Sequence, residues 1–112
     1  MRIAILSDIH GNALALEAVL ADIAVSGPYD EIVVAGDLVW SGPRPREVVD
    51  QLLALHPVII RGNTDAFFDA QPDEPPEGKD PGRFEAHIAW MTAQLGPERI
   101  AYLRHLPFSH RI

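Results

Sequence analysis

The chain has 112 residues, of which 47% are apolar, and its formal net charge at pH 7 is −7. This length suits one domain with a packed core, and the acidic balance argues against nonspecific nucleic-acid binding and against docking on anionic membranes. The absence of cysteine excludes disulfides, thiolate metal sites and a cysteine nucleophile. Residues 3–6 form too short an apolar run for a secretory signal, and no run approaches the roughly 20 residues that span a bilayer. These features predict a soluble, cytoplasmic protein.

Three short apolar runs in the first half of the chain, residues 2–7, 31–35 and 57–61, predict strands. They lack the alternation of a half-solvated strand, which indicates burial on both faces. Apolar residues at helical spacing fill the two intervals, at residues 13–25 and 48–55. This strand–helix–strand–helix–strand order, with short links, predicts right-handed crossovers and a parallel sheet, which is an α/β fold.

The second half of the chain begins with residues 71–83, which hold four prolines and four acidic residues. That composition predicts a solvated surface loop within a single domain of residues 1–112. A third helix is predicted to end at Gly96-Pro97, on the apolar positions Phe84, Ile88, Met91 and Leu95. A short fourth helix is predicted on Ile100, Leu103 and Leu106, and the start of another strand at residues 108–112.

Each of the three predicted strands is followed by polar residues: Asp8 and His10, then Asp37, then Asn63 and Asp65. Because the carboxyl ends of parallel strands lie along one edge of a sheet, we expect these clusters to converge. Carboxylate, imidazole and amide donors together suit Mn²⁺, Fe, Ni²⁺ or Zn²⁺. A single Asp after a strand is often only a turn or cap residue, and we interpret Asp65 that way. The occurrence of such clusters at all three strand ends favours a metal site.

Three segments resemble motifs of the calcineurin-like metallophosphoesterases, and most closely those of the small bacterial and archaeal phosphodiesterases. They are residues 7–12 (SDIHGN), 36–43 (GDLVWSGP) and 61–65 (RGNTD). The resemblance implies a four-layer α/β/β/α sandwich, of which the parallel βαβαβ unit is one half. It also implies hydrolysis of a phosphoester, in a small molecule or a nucleotide, by a metal-activated hydroxide.

The same resemblance assigns roles to particular residues. It implies two divalent cations, with Mn²⁺ preferred over Fe, Ni²⁺ or Zn²⁺. Asp8 and His10 would bind the first cation, Asp37 would bridge both, and Asn63 would bind the second. Two such cations clamp the phosphoryl oxygens and generate a nucleophile near neutral pH, which makes Asp37 and Asn63 catalytic residues.

Thr64 stands where many members of that family carry a histidine that contacts the phosphate. Thr64 is also assigned to the catalytic set, but a threonine is no acid near neutral pH, which favours a diester substrate or a slower enzyme. Arg61 is a candidate for binding substrate phosphate, as are Arg44 and Arg46, and the alternative is that they are surface residues. Trp40 can stack on a substrate ring or pack its own loop.

The family's later metal-binding histidines, a lone His and a Gly-His-x-His motif, have no counterpart in this sequence. We interpret His87, His105 and His110 as structural or surface residues. We therefore expect an N-terminal half of the family's domain, with a sheet face exposed that favours homo-oligomers. The alternative function is a truncated or metal-site-degraded interaction module of the same fold, without catalysis.

Overall fold

A computed structural model describes residues 1–69 and 80–112. The helices and strands alternate along the first half of the chain, as the sequence predicts. In chain order the elements are β1 (Ile3–Leu6), α1 (Ala13–Ser26), β2 (Glu31–Val34), α2 (Pro45–Leu55), β3 (Val58–Ile59), a 3-10 helix (Asp65–Phe68) and α3 (Pro81–Arg104).

The three strands form one parallel sheet in the order β1-β2-β3, which confirms the predicted α/β fold. The register aligns Leu6 with Val34 and Val34 with Ile59. Because side chains alternate across a strand, these three residues share one face of the sheet, which we call the core face. Val34 is fully buried there, and Ile59 is nearly so.

Helices α1 and α2 contact each other, and α3 packs on α2 and on the 3-10 helix. Their apolar residues join the core face in one continuous cluster, which accounts for most of the buried apolar surface in the described residues. The fully buried helical members of this cluster are Val48, Val49, Leu52, Met91, Leu95 and Leu103.

The opposite face of the sheet, which we call the open face, carries Ile5, Val33 and Val58 in register. Ile5 is 68% exposed, whereas Val33 is 9% exposed. The carboxyl-terminal segment reaches this face, because His110 Nε2 lies 3.0 Å from Oε1 of Glu31, which shares the face with Val33. Among the described residues, the carboxyl-terminal segment therefore contacts β2 on this face, while Ile5 of β1 is exposed.

The strand predicted at residues 108–112 is wrong. Only one backbone hydrogen bond, from Arg61 N to the Pro107 carbonyl at 2.8 Å, ties this segment to the end of β3. The remaining residues of the segment are irregular. Phe108, the first residue of the segment, contacts Arg61 instead of a neighbouring strand, since its ring lies under the Arg61 guanidinium.

Two helices begin earlier than the sequence analysis predicts. Helix α2 starts at Pro45, where the fixed φ of proline and its missing N–H suit a first helical position. Helix α3 starts at Pro81, inside the predicted loop of residues 71–83, and the Asp80 carboxylate accepts hydrogen bonds from the first turn. The rest of that predicted loop, residues 71–79, lies outside the described residues.

Gly96 interrupts α3 with a left-handed, non-helical conformation, at φ 76° and ψ 166°. The predicted end of the third helix at Gly96-Pro97 and the short helix beyond it are thereby confirmed. Leu106 is buried, although it lies two residues past the last helical residue. Within residues 1–69 and 80–112, no helix has both the length and the hydropathy that crossing a membrane requires.

Candidate metal centre

The loops that follow β1 and β2 are joined by backbone hydrogen bonds. Asp8 N donates to the Gly36 carbonyl at 3.2 Å, and His10 N donates to the Asp37 carbonyl at 2.9 Å. These bonds extend the strand pairing past the ends of the regular strands. Asp8, His10 and Asp37 are therefore held side by side at the carboxyl edge of the sheet, where the sequence analysis expects them.

The backbone at these three residues is unusual. Asp8, His10 and Asp37 all have positive φ, at 57°, 47° and 54°. Non-glycine residues rarely adopt this region, and such conformations concentrate at functional sites. Two glycines allow the close approach of the loops: a Cβ on Gly42 would overlap the His10 carbonyl, and one on Gly62 would overlap the Asp37 carboxylate.

One ligand atom from each of Asp8, His10 and Asp37 lies within 4.8 Å of the other two. His10 Nδ1 lies 2.8 Å from the Trp40 carbonyl oxygen, which can only accept, so Nδ1 carries the ring hydrogen in the neutral imidazole. The lone pair of Nε2 then faces the Asp8 Oδ1 atom at 3.3 Å. Two acceptors in this position need a cation between them or a proton on His10, so the donor set fits a divalent metal.

Asp8 is exposed and is supported by its neighbours. The Ser7 hydroxyl donates to Asp8 Oδ2 at 2.6 Å. This hydrogen bond is the largest cause that lowers the pKa of the Asp8 carboxyl below its ordinary value. Asp8 is thus an anion at neutral pH, which is the form that binds a metal.

The Asn63 side chain lies against Asp37. With the amide nitrogen turned towards Asp37, the nitrogen is 3.2 and 3.3 Å from the two carboxylate oxygens and can donate to them. With the amide oxygen turned the same way, two acceptors meet, an arrangement that a cation between them would stabilise. Asn63 therefore lies beside Asp37 at the candidate metal centre, as the sequence analysis expects.

Thr64 holds the Asp37 carboxylate from the other side. The Thr64 hydroxyl donates to Asp37 Oδ1 at 2.6 Å, and the Thr64 backbone N–H donates to the same atom at 3.0 Å. Since a hydroxyl has one hydrogen, Thr64 has none left for a substrate in this arrangement. Its geometry is that of a residue that orients Asp37.

Asp65 does more than the turn-capping role that the sequence suggests. Its carboxylate closes the turn before it, accepting from Gly62 N at 2.7 Å, and it also accepts from Asp37 N at 2.9 Å and Leu38 N at 3.0 Å. Burial raises the pKa of the Asp65 carboxyl, although the three backbone N–H donors oppose the shift. Asp65 therefore locks the loop after β3 to the loop after β2. The bonds to Asp37 and Leu38 span 28 and 27 residues, and no local sequence signal announces them.

The family model described as calcineurin-like phosphoesterase matches residues 1–107. The chain belongs to this family. Among curated proteins, an uncharacterized protein of Methanocaldococcus jannaschii is 43% identical over 63 residues, which are 56% of this chain and 26% of that protein.

Solved structures with the same fold agree with the assignment to the calcineurin-like phosphoesterases. A metallophosphoesterase from Sphaerobacter thermophilus is 41% identical, with a TM-score of 0.71 over 96% of this chain and 42% of its own. A hypothetical protein from Pyrococcus horikoshii is 28% identical, with a TM-score of 0.76 over 94% of this chain and 47% of its own. A provisionally named diadenosine tetraphosphatase is 28% identical, with a TM-score of 0.69 over 95% and 43%. This phosphoesterase chain thus spans less than half the length of each relative.

Two of the substrate candidates, Arg61 and Trp40, have other partners. The Arg61 side chain is 7% exposed and pairs with Asp69 at 2.5 Å, while its guanidinium lies 5.1 Å from the centre of the Phe108 ring. Trp40 is 6% exposed, and its ring meets Phe67 edge-on at 4.8 Å. These contacts favour the packing role over substrate stacking for Trp40, and they tie Arg61 into the fold.

The histidines outside the metal centre also have structural neighbours. His87 lies edge-on to Trp40, with ring centres 4.6 Å apart. His105 Nδ1 lies 2.7 Å from the Ala101 carbonyl oxygen, and His110 contacts Glu31. These contacts agree with the interpretation of all three as structural or surface residues.

Proposed function

We propose that this chain carries one half of a binuclear metal centre that hydrolyses phosphoesters, with phosphodiesters as the preferred class. The observation that supports it most is the convergence of Asp8, His10 and Asp37 within 4.8 Å. Their backbones adopt positive φ angles, a conformation that is rare in non-glycine residues and concentrates at functional sites. A set of acceptors held against one another in this way is arranged for a cation.

Asp8, His10 and Asp37 would hold the first cation, and Asp37 with Asn63 would hold the second. Two divalent cations at such a site neutralise the phosphoryl charge and lower the pKa of water enough to supply a nucleophile near neutral pH. The donors are mostly oxygen with one imidazole, which favours Mn²⁺ and also suits Fe, Ni²⁺ and Zn²⁺.

The surrounding residues keep this arrangement in place. The Trp40 carbonyl fixes the ring orientation of His10, so that Nε2 faces the site. Thr64 orients one oxygen of Asp37, and Asp65 holds the Asp37 backbone. None of these contacts provides a proton donor for a leaving group. We therefore expect a substrate whose leaving group is stable as an anion, or a diester with one negative charge.

A nucleotide is a suitable substrate class, since one structural relative is provisionally named a diadenosine tetraphosphatase. The chain supplies three donors to the first cation and two to the second, so each cation keeps open positions for water, substrate or further ligands. Affinity for the second cation is accordingly expected to be the weaker of the two.

Manganese titration of the purified chain by isothermal calorimetry, with elemental analysis after dialysis, tests the proposal. We expect two Mn²⁺ sites in the wild type. Loss of even an outer-shell partner of a metal ligand typically weakens affinity 10–100-fold, so Asp37→Asn, which alters a bridging ligand, should weaken it at least about 100-fold. Asp22→Asn makes the same chemical change on the exposed surface of α1 and should bind like the wild type.

The same three proteins are then compared in hydrolysis of a bis-aryl phosphate with added Mn²⁺. Equal Mn²⁺ affinity in the wild type and Asp37→Asn would refute the assigned metal centre. Equal turnover in those two proteins would show that any hydrolysis arises elsewhere. Metal binding that depends on Asp37 but comes without turnover would support the alternative, an interaction module that keeps the metal site.

A further inference from the structure

A cleft of about 700 Å³ lies between the first turns of α3 and the loop after β2. This volume falls within the range of small-molecule sites. Its walls are rich in rings and carry both charges, and the residues that matter for its chemistry are Trp40, Ser41, Asp80, Arg83, His87 and Trp90. None of them is a candidate metal ligand.

Three rings in this cleft lie in a row, and their exposure to solvent increases from the core to the surface. Trp40 is buried, and His87 stands edge-on against it at 4.6 Å. The Trp90 ring lies almost parallel to His87, with an interplanar angle of 14° and ring centres 6.1 Å apart. Trp90 is 43% exposed. The inner rings thus brace an indole whose surface is available to a planar ligand.

The cleft adjoins the metal centre through Trp40 and Ser41. The Trp40 carbonyl contacts His10 Nδ1 at 2.8 Å, so one residue lines the cleft and orients a candidate metal ligand. Gly42, two residues further along the chain, lies against the His10 backbone. A molecule in the cleft therefore lies beside the loop that carries His10.

The positively charged side chain of Arg83 lines the same cleft. Arg83, His87 and Trp90 are spaced at i, i+4 and i+7, which places them on one face of α3. Arginine can stack on a planar ring or bind a phosphate oxygen. The Asp80 carboxylate, on the same wall, accepts backbone N–H bonds from Gly82 and Arg83 at the start of the helix. The wall therefore offers ring faces together with one guanidinium.

We propose that this cleft binds the aromatic ring of the substrate, a nucleobase or an aryl group, against Trp90. The proposal rests on the proposed function for its biological meaning, since it places the ring beside the centre that would take the phosphoester. Its chemistry is stacking of a flat ring on an exposed indole, supported by the Arg83 guanidinium. It gives the phosphoesterase a preference for aromatic phosphoesters that the metal centre alone does not provide.

The test measures ligand binding by saturation-transfer NMR titration in EDTA, so that metal binding plays no part. The ligands are adenosine 5′-monophosphate, phenyl phosphate and ribose 5-phosphate. The wild type should bind the two aromatic ligands and should bind ribose 5-phosphate much more weakly. Tighter binding of adenosine 5′-monophosphate than of phenyl phosphate supports a nucleobase, and equal binding supports any aryl group.

Variants separate stacking from a loss of folding. Base stacking on an aromatic residue is worth roughly 5- to 150-fold in affinity, so Trp90→Ala should weaken adenosine 5′-monophosphate binding by at least about fivefold. Trp90→Phe keeps a ring and should retain most of the affinity. Phe108→Ala removes an exposed ring outside the cleft and should bind like the wild type.

Two results would overturn the inference. One is equal binding of ribose 5-phosphate and adenosine 5′-monophosphate, and the other is unchanged binding in a folded Trp90→Ala protein. Asp37→Asn, measured in the same way, should keep the ring affinity. Ring binding without Mn²⁺ binding would refute the proposed function and leave the cleft as a binding site. Mn²⁺ binding without ring binding would refute only the proposed role of the cleft.

Discussion

The two faces of the sheet differ in how they are covered. On the core face, Leu6, Val34 and Ile59 meet the helices, and Val34 is completely buried. On the open face, the carboxyl-terminal segment makes a contact through His110, and Ile5 is exposed within residues 1–69 and 80–112. Parallel strands are normally buried on both faces, so β1 is the strand whose surroundings are least complete.

The candidate metal ligands differ in how well the strands that precede them are covered. Asp37 and Asn63 follow β2 and β3, the strands with better cover, and the buried Asp65 holds Asp37 in place. Asp8 follows the poorly covered β1 and is exposed. The metal centre therefore lies where the well-packed part of the molecule meets its open part.

The largest effect is expected in the layer over the core face. Leu52 is fully buried on α2, and its neighbour Leu53 is 38% exposed. Leu52→Ala should lower the free energy of unfolding by about 2–5 kcal/mol, because it removes buried methyl groups and leaves a cavity. Leu53→Ala should cost less than Leu52→Ala, because 38% of the Leu53 surface is already in water and its truncation leaves no enclosed cavity. Urea unfolding of both variants would contradict this picture of the core face if the two losses were equal.

Much of this architecture can be predicted from local sequence. The apolar runs around Ile5, Val33 and Ile59 predict the strands, and their order predicts the parallel sheet. Polar residues after each strand predict the convergence of Asp8 and Asp37, because the fold itself gathers the strand ends. These inferences depend only on spacing and on general rules of chain topology.

Features that depend on distant contacts could not be predicted in this way. Arg61 looks like a phosphate ligand from its position after β3, but its guanidinium pairs with Asp69 and stacks on Phe108. The segment after Pro107 reads as a strand because its composition resembles one, although it has no regular partner. The role of Asp65 depends on backbone donors 27 and 28 residues away. In each case the deciding partner lies outside the local pattern.

A smaller loss of stability is expected at the junction of the two loops. Asp65→Asn removes the charge and replaces one acceptor oxygen with a donor, so at least one of the three buried backbone N–H groups loses its partner. We expect a loss of about 1–3 kcal/mol in the free energy of unfolding and weaker Mn²⁺ binding through displacement of Asp37. Chemical unfolding and calorimetry give the two values. If Asp65→Asn had the same free energy of unfolding and the same Mn²⁺ affinity as the exposed control Asp22→Asn, the hydrogen bonds of Asp65 between the loops would contribute to neither.

The smallest change in stability is expected on the open face, where the effect should instead be on association. Exposed apolar strand surface promotes pairing between molecules, and we expect the wild type to form homo-oligomers that grow with concentration in sedimentation. Ile5→Thr keeps a β-branched side chain and should change the free energy of unfolding by about 1 kcal/mol or less. It should shift the protein towards monomer. Val25→Thr makes a similar change on α1, where Val25 is 85% exposed, and should leave association as it is. A wild type that sediments as a monomer at every concentration would mean that the exposure of Ile5 is tolerated without a partner, because a single apolar side chain is then too small a patch to hold two molecules together.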